Sequence, residues 1–186
     1  MTDFVHLHVH SEYSLLDGMS TPEEMARAAS TNGQTSLSIT DHGSMAGVLK
    51  FQDACKGQGV KPIFGIEAYF TPSLIDDKLD PKAERYHLIL LAKNDDGLKK
   101  LFRLNKEAWT GGFYYKPRMD FDMLERVVGN DVIALSGCRG SAIAKAIEND
   151  DSARAERLTK KFIDIFGDDF YFEIQSWNPE KINEGL

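Results

Sequence analysis

Three histidines alternate with apolar residues near the start of the chain, in Phe4-Val5-His6-Leu7-His8-Val9-His10. Alternation with period two is the mark of a β-strand, whose successive side chains point to opposite faces. The pattern predicts a strand carrying His6, His8 and His10 on one face, an arrangement a helix cannot produce. Imidazoles crowded together satisfy one another poorly, yet each is a ready ligand for a transition metal. Taken alone, the strand reads equally well as a histidine-rich edge facing solvent, so the rest of the chain has to decide.

Strand-like and helix-like runs alternate from there on, without repeats or low-complexity stretches. Thr21-Pro22-Glu23-Glu24 starts a helix, with Thr21 as N-cap, Pro22 at the first helical position and Glu24 closing a capping box. That helix is expected to run to about Asn32, with Gly33 as its stop. Strands are predicted over Ser36–Thr40, Pro62–Phe70, His87–Lys93, Val132–Ser136 and Tyr171–Gln175. Helices are predicted over Met45–Lys56, from an Asp95 cap to about Ala108, from about Asp122, and twice between Ser141 and Phe166. Gly111–Arg118 reads as a loop of exposed aromatic character, and Asn178–Leu186 as the start of a further helix. A repeated β-then-α order with short connections implies a mostly parallel sheet, either open or part of a barrel. A (β/α) barrel usually needs about 250 residues, so 186 residues predict an incomplete one.

Composition bounds the function. With 42% hydrophobic and 27% charged residues, residues 1–186 read as one globular domain. No apolar run approaches the roughly 20 residues of a membrane span, and the N-terminus lacks the layout of a signal peptide. No membrane partner is therefore expected. Cys55 and Cys138 suggest neither a disulfide framework nor a metal pair by spacing, which points to a reducing cytoplasm. A net charge of −7 argues against strong nonspecific nucleic-acid binding, which needs clustered cations. The basic clusters Lys99/Lys100/Arg103/Lys106, Lys116/Arg118 and Arg154/Arg157/Lys160/Lys161 read as solvated faces. Lys116 and Arg118 could alternatively meet a phosphate backbone.

In parallel α/β folds, functional groups gather at the C-terminal ends of strands. His8 and His10 end the first strand, with Asp17 in the loop beyond. Asp41 and His42 follow the second strand, Glu67 lies late in the third, and Cys138 follows the strand at Val132. Successive strands thus deliver ligand-type side chains to one rim, which favours a metal site. His87 breaks the rule because it begins its strand: either that strand runs antiparallel or the chain bends before it. Asp41 has two readings, orienting a ligand imidazole or capping the next helix. Imidazole and thiol donors suit zinc, while the carboxylates also suit manganese or magnesium. So many donors exceed the needs of one tetrahedral ion, so two or three divalent ions are expected. Such clusters suit phosphate ester hydrolysis, since one ion acidifies water and its neighbours stabilise the attacking and leaving oxygens.

His8-x-His10, Asp17, Ile39-Thr40-Asp41-His42-Gly43 and Gly65-Ile66-Glu67-Ala68-Tyr69 resemble the signature of the polymerase-and-histidinol-phosphatase (PHP) superfamily. Tyr13-Ser14-Leu15-Leu16-Asp17-Gly18, Gly59-Val60-Lys61-Pro62-Ile63-Phe64-Gly65, His87-Leu88 and Ser136-Gly137-Cys138 further resemble the branch at the N-terminus of bacterial replicative polymerases, the C-family alpha subunits. The resemblance covers essentially the whole chain. It implies a distorted, TIM-like (β/α) barrel and metal ligands at His8, His10, Asp17, His42, Glu67, His87 and Cys138. It leaves His6 in a supporting role and Cys55 as a small core residue. It implies phosphodiester hydrolysis as a 3′–5′ proofreading exonuclease, with DNA and other replisome subunits as partners. A silent structural or interaction module and a free-standing phosphatase are the alternatives. The family pattern continues to a late Asp-x-His pair, which does not occur after Cys138. The barrel is therefore expected to lack its last strand or strands and the polymerase core, and one metal position to be short of ligands.

Overall fold

The computed structural model describes residues 4–72 and 84–175. Helix α1 (Pro22–Thr31) is built as the capping box requires: the Thr21 hydroxyl accepts from the Glu24 amide and the Glu24 carboxylate accepts from the Thr21 amide. Strand β1 (Ser36–Ile39), helix α2 (Val48–Gln58) and strand β2 (Lys61–Phe70) come after it. Next are β3 (Tyr86–Ala92) and α3 (Asp95–Thr110), whose N-cap is Asn94, accepting from the Gly97 amide, rather than the expected Asp95. Strands β4 (Phe113–Tyr114) and β5 (Lys116–Met119) form a hairpin where a loop was expected. Helix α4 (Phe121–Val127), strand β6 (Val132–Leu135), helices α5 (Ala142–Glu148) and α6 (Ser152–Phe166), and strand β7 (Phe170–Tyr171) complete the order. The expected strand over Tyr171–Gln175 is thus only two residues of ladder. The expected helix from Asn178 lies outside the described residues.

The sheet order is β4-β5-β2-β3-β6-β7, with β1 also on β2. The long β2 takes β1 along its first half and β5 along its last two residues, both parallel. β3 runs antiparallel to both β2 and β6, while β6 and β7 are parallel. The sheet is therefore mixed rather than mostly parallel, and the reversed direction of β3 resolves the position of His87. Among the described residues the strand order is open and does not close into a barrel.

The strand predicted over the alternating histidines does not form: residues 4–10 are extended chain without a ladder, with a bend at His8. The amides of Ser38 and Thr40, two residues apart, donate to the carbonyls of His6 and Val9, three residues apart. One extra residue is thus accommodated, which is the geometry of a bulge. It takes His6 out of phase with His8 and His10, and His6 ends exposed, edge-on to Phe4. Thr40 holds the irregular stretch by accepting from the Val9 amide and donating to the Val9 carbonyl through its hydroxyl.

Alternation along the strands sorts the sheet into two faces. One face sends Ile66, Ala68, Phe70, Leu88, Leu90, Val132 and Ala134 into the main core against the helices, where Phe51, Leu101, Leu104 and Phe162 meet them. Cys55 lies fully buried in that core, as expected of a small apolar residue. The other face carries a small apolar cluster of Ile89, Leu91 and Leu135, and at its end the polar site. The cations of the predicted basic clusters are largely paired: Lys100 with Asp131, Arg103 with Glu107, Arg154 with Glu84 and Lys161 with Glu125. No helix among the described residues is long and apolar enough to cross a membrane.

Candidate metal centre

The parallel register of β1 on β2 pairs Ile39 with Phe64, and its extension pairs His42 with Glu67. Across β2, the antiparallel register pairs Tyr69 with His87 and Glu67 with Ile89. Glu67, Tyr69 and His87 therefore share one face, and the stretch leading from His8 to His10 delivers two more imidazoles beside them. Cys138 arrives from the turn after β6, where Gly140 lies against the His87 ring. A Cβ at Gly140 would stand 2.9 Å from His87 Nδ1.

Glu67 is the hub. Its side chain is 1% exposed, and its two oxygens face different groups. Oε2 lies 2.8 Å from His10 Nε2, 3.1 Å from His8 Nε2 and 3.2 Å from His42 Nδ1. Oε1 lies 2.9 Å from His87 Nδ1 and 3.8 Å from Cys138 Sγ, and that sulfur is 3.6 Å from His87 Nδ1. Asp17, more than half exposed, reaches in from its loop with Oδ2 at 3.0 Å from His42 Nε2 and 3.7 Å from His10 Nε2. All seven predicted ligand residues thus meet in one place, while His6 stands apart.

Three groups of donors are close enough to converge on an ion: His8/His10/Glu67, His10/Asp17/His42 and His42/Glu67/His87. The donor set of imidazole, carboxylate and thiol fits divalent transition metals. A further observation fits as well: among the described residues His42 Nδ1 is buried and makes no hydrogen bond, although it stands 3.2 Å from Glu67 Oε2, a placement that a cation between them would satisfy.

Electrostatics follow from that crowding. Burial opposes charge on His8, but hydrogen bonds donated to Glu173 and Glu67, with their charges, outweigh it and raise His8 to about 10. Hydrogen bonding to Cys138 and to Glu67 raises His87 to about 9 against its burial. Burial pushes Glu67 up, but hydrogen bonds from His10, His8 and His87 prevail and hold the carboxylate well below its ordinary range. His42 is lowered, first by burial, and further by the neighbouring His10 and His87. Protons on His8 and His87 thus balance the Glu67 charge where ions would do so.

Asp41 does not cap α2, whose N-cap is Gly47 with no side-chain bond. Buried, it accepts from the Ser11 amide at 2.7 Å, the Ser11 hydroxyl at 2.8 Å and the Ser14 hydroxyl at 2.8 Å. Ser14 is a residue that nothing in the sequence pattern singles out. Its only proton is used on Asp41, so its oxygen acts as acceptor toward the His42 amide at 3.0 Å and His10 Nδ1 at 3.1 Å. His10 therefore donates from Nδ1 to Ser14 and turns Nε2 toward Glu67 and Asp17, so Asp41 orients that imidazole through Ser14.

Arg118 corrects an expectation. It is 1% exposed, with its Nε donating to the Gly112 carbonyl at 3.2 Å and its guanidinium against the Tyr114 ring. A side chain so enclosed is a hairpin brace and offers no charge to a phosphate backbone. Lys116 remains exposed, 5.2 Å from the Tyr69 ring centre. Glu173 joins the site without having been expected there, its Oε1 lying 2.8 Å from His8 Nδ1. The available signal was its place near the end of a predicted strand, the same rule that picks out Glu67.

The PHP domain family profile matches residues 6–177. The chain is similar to DNA polymerase III subunit alpha of Aquifex aeolicus, with 43% identity over 96% of this chain and 16% of that protein. It is similarly related to the same subunit of Treponema pallidum, with 42% identity over 92% of this chain and 15% of that protein. The chain thus spans about one sixth of the length of these relatives. Among solved structures, an amidohydrolase from Chromobacterium violaceum aligns with 58% of this chain and 34% of its own, at 23% identity and a TM-score of 0.43.

Proposed function

The chain belongs to the PHP domain family, and from that premise we propose that it is a metal-dependent phosphodiesterase domain whose site holds two or three divalent ions. In this reading His8, His10, Asp17, His42, Glu67, His87 and Cys138 are the ligands, with zinc, manganese and magnesium as the candidate ions. The observation that carries the reading is the shared carboxylate: Glu67 offers one oxygen to His8, His10 and His42 and the other to His87 and Cys138. A carboxylate placed so can bridge neighbouring cations, which would supply acidified water and stabilisation of the attacking and leaving oxygens of a phosphate ester. The chain's own contribution is orientation. Asp41 and Ser14 fix the His10 ring orientation, and the β1–β2 register sets His42 against Glu67.

The substrate we propose is a DNA 3′ end, processed as a 3′–5′ exonuclease within a replicative polymerase. Support comes from the similarity to polymerase III alpha subunits and from the complement of donors around Glu67. Release of nucleotides from a 3′-labelled single strand in the presence of manganese or zinc tests it. The activity should vanish in His10→Ala, and activity surviving that substitution would sink the proposal. The second reading, a silent interaction module of the polymerase, draws on the exposed Phe113, stacked on the exposed Trp109, and on the exposed Tyr115 of the same hairpin. That reading predicts bound metal without turnover.

A further inference from the structure

Ser136, directly after β6, makes two bonds that fix the chain beyond β7. Its amide donates to the Tyr171 carbonyl at 2.9 Å, and its hydroxyl accepts from the Glu173 amide at 2.9 Å. The parallel pairing of Leu135 with Tyr171 sets the register of this segment. Glu173 is thereby held at the rim of the site although the ladder has ended two residues earlier. Its side chain, 13% exposed, presents Oε1 to His8 Nδ1 at 2.8 Å, while the other imidazole nitrogen of His8 points at Glu67. Gln175 Nε2 donates to the same Oε1 at 2.6 Å.

An ionised carboxylate can only accept, so His8 Nδ1 carries a proton toward Glu173, and a cation in the donor cluster would replace the proton that Nε2 directs at Glu67. The second oxygen sharpens the case. Glu173 Oε2 is buried without a hydrogen-bond partner among the described residues, and a buried acceptor left so is costly. Positive charge at the imidazole it leans on offsets that cost, and a cation at His8 Nε2 would supply it as a proton does. Carboxylate–histidine–metal chains of this kind fix ring orientation and raise ligand basicity.

We propose that Glu173 is a positioning residue of the metal centre, holding the His8 ring with Nε2 directed at the donor cluster around Glu67, where an ion would bind. This rests on the metal-site reading given under Proposed function. The test is zinc affinity of the whole 186-residue chain, measured by competition with a chromophoric chelator, together with the tautomer of His8 read by long-range nitrogen–proton NMR on the zinc-loaded protein. Glu173→Ala should weaken zinc binding by about 10- to 100-fold and abolish the hydrogen-bonded Nδ1–H signal of His8. Glu173→Gln keeps an acceptor without its charge, so it should lose less affinity and retain the signal; it also carries the test if the alanine variant fails to fold. Wild-type affinity in both variants, or an unchanged His8 signal in Glu173→Ala, would overturn the proposal while leaving the metal site intact. A wild-type chain that takes up no zinc would overturn the metal-site reading and this proposal with it.

Discussion

His10 Nε2 stands 2.8 Å from Glu67 Oε2, and the ring is held in that orientation from its far side by Ser14, which accepts from Nδ1. The arrangement depends on Asp41, which uses up the Ser14 proton. Asp41→Ala removes the acceptor of three buried hydrogen bonds. It should lower stability by about 2–4 kcal/mol, the scale of leaving buried donors unmade, in a urea melt. Ser14→Ala should cost less stability but still weaken metal binding, since His10 Nδ1 loses its acceptor.

The metal-free protein should show a pH dependence set by the same groups. His8 and His87 are raised to about 10 and about 9 from the ordinary 6.5. Raised histidines contribute stability that is complete below 6.5 and is lost as pH climbs through the folded values. Glu67 is depressed, so its contribution is present above its ordinary 4.5 and is lost as pH falls. The lowered His42 adds a penalty on the acid side of 6.5. Melting temperature without metal should therefore fall between about pH 7 and 10, and again in acid. Zinc, replacing protons, should stabilise more at about pH 9 than at about pH 6; equal stabilisation at the two would contradict this.

Gly43 links the site to the hairpin. Its φ is +58°, and a Cβ there would stand 2.9 Å from both Tyr69 and Pro117. Its carbonyl accepts from Trp109 Nε1 at 3.0 Å. Gly43→Ala should destabilise the fold by about 1–3 kcal/mol through overpacking and backbone strain. The emission of Trp109 should shift as its bond to that carbonyl is disturbed, read in a Trp177→Phe background.

Arg118, enclosed by the hairpin it braces, should matter for stability rather than for nucleic acid. Arg118→Ala is expected to cost about 2–4 kcal/mol, from lost packing and the hydrogen bond removed from the Gly112 carbonyl. The salt dependence of oligonucleotide binding should be unchanged. A shallower salt slope would restore the phosphate-contact reading.

Much of this was legible because local chemistry agreed with the final structure. The Thr21–Glu24 capping box needs only its own residues, and the donor-type side chains of His42, Glu67 and Cys138 follow from their places late in or just after strands. What failed depended on neighbours far along the chain. Alternation cannot register a bulge, so the pattern groups His6 with His8 and His10, whereas the Thr40 and Val9 pairing separates them. A period of two carries no direction, which leaves His87 undecided until β3 is known to run against β2. A buried arginine is rare enough that Arg118 beside a proline reads as a solvated loop cation. Asp41 fits two roles equally, and only the positions of Ser11 and Ser14 choose between them.

The claim at the centre is that Glu67 is shared between metal positions. Metal content of the chain reconstituted with zinc or manganese, measured by elemental mass spectrometry in wild type and Glu67→Ala, tests it most directly. The account predicts at least two ions per wild-type chain and a loss of more than one ion on that single substitution. Metal-free wild type, or a Glu67→Ala chain that keeps the full complement, would contradict it.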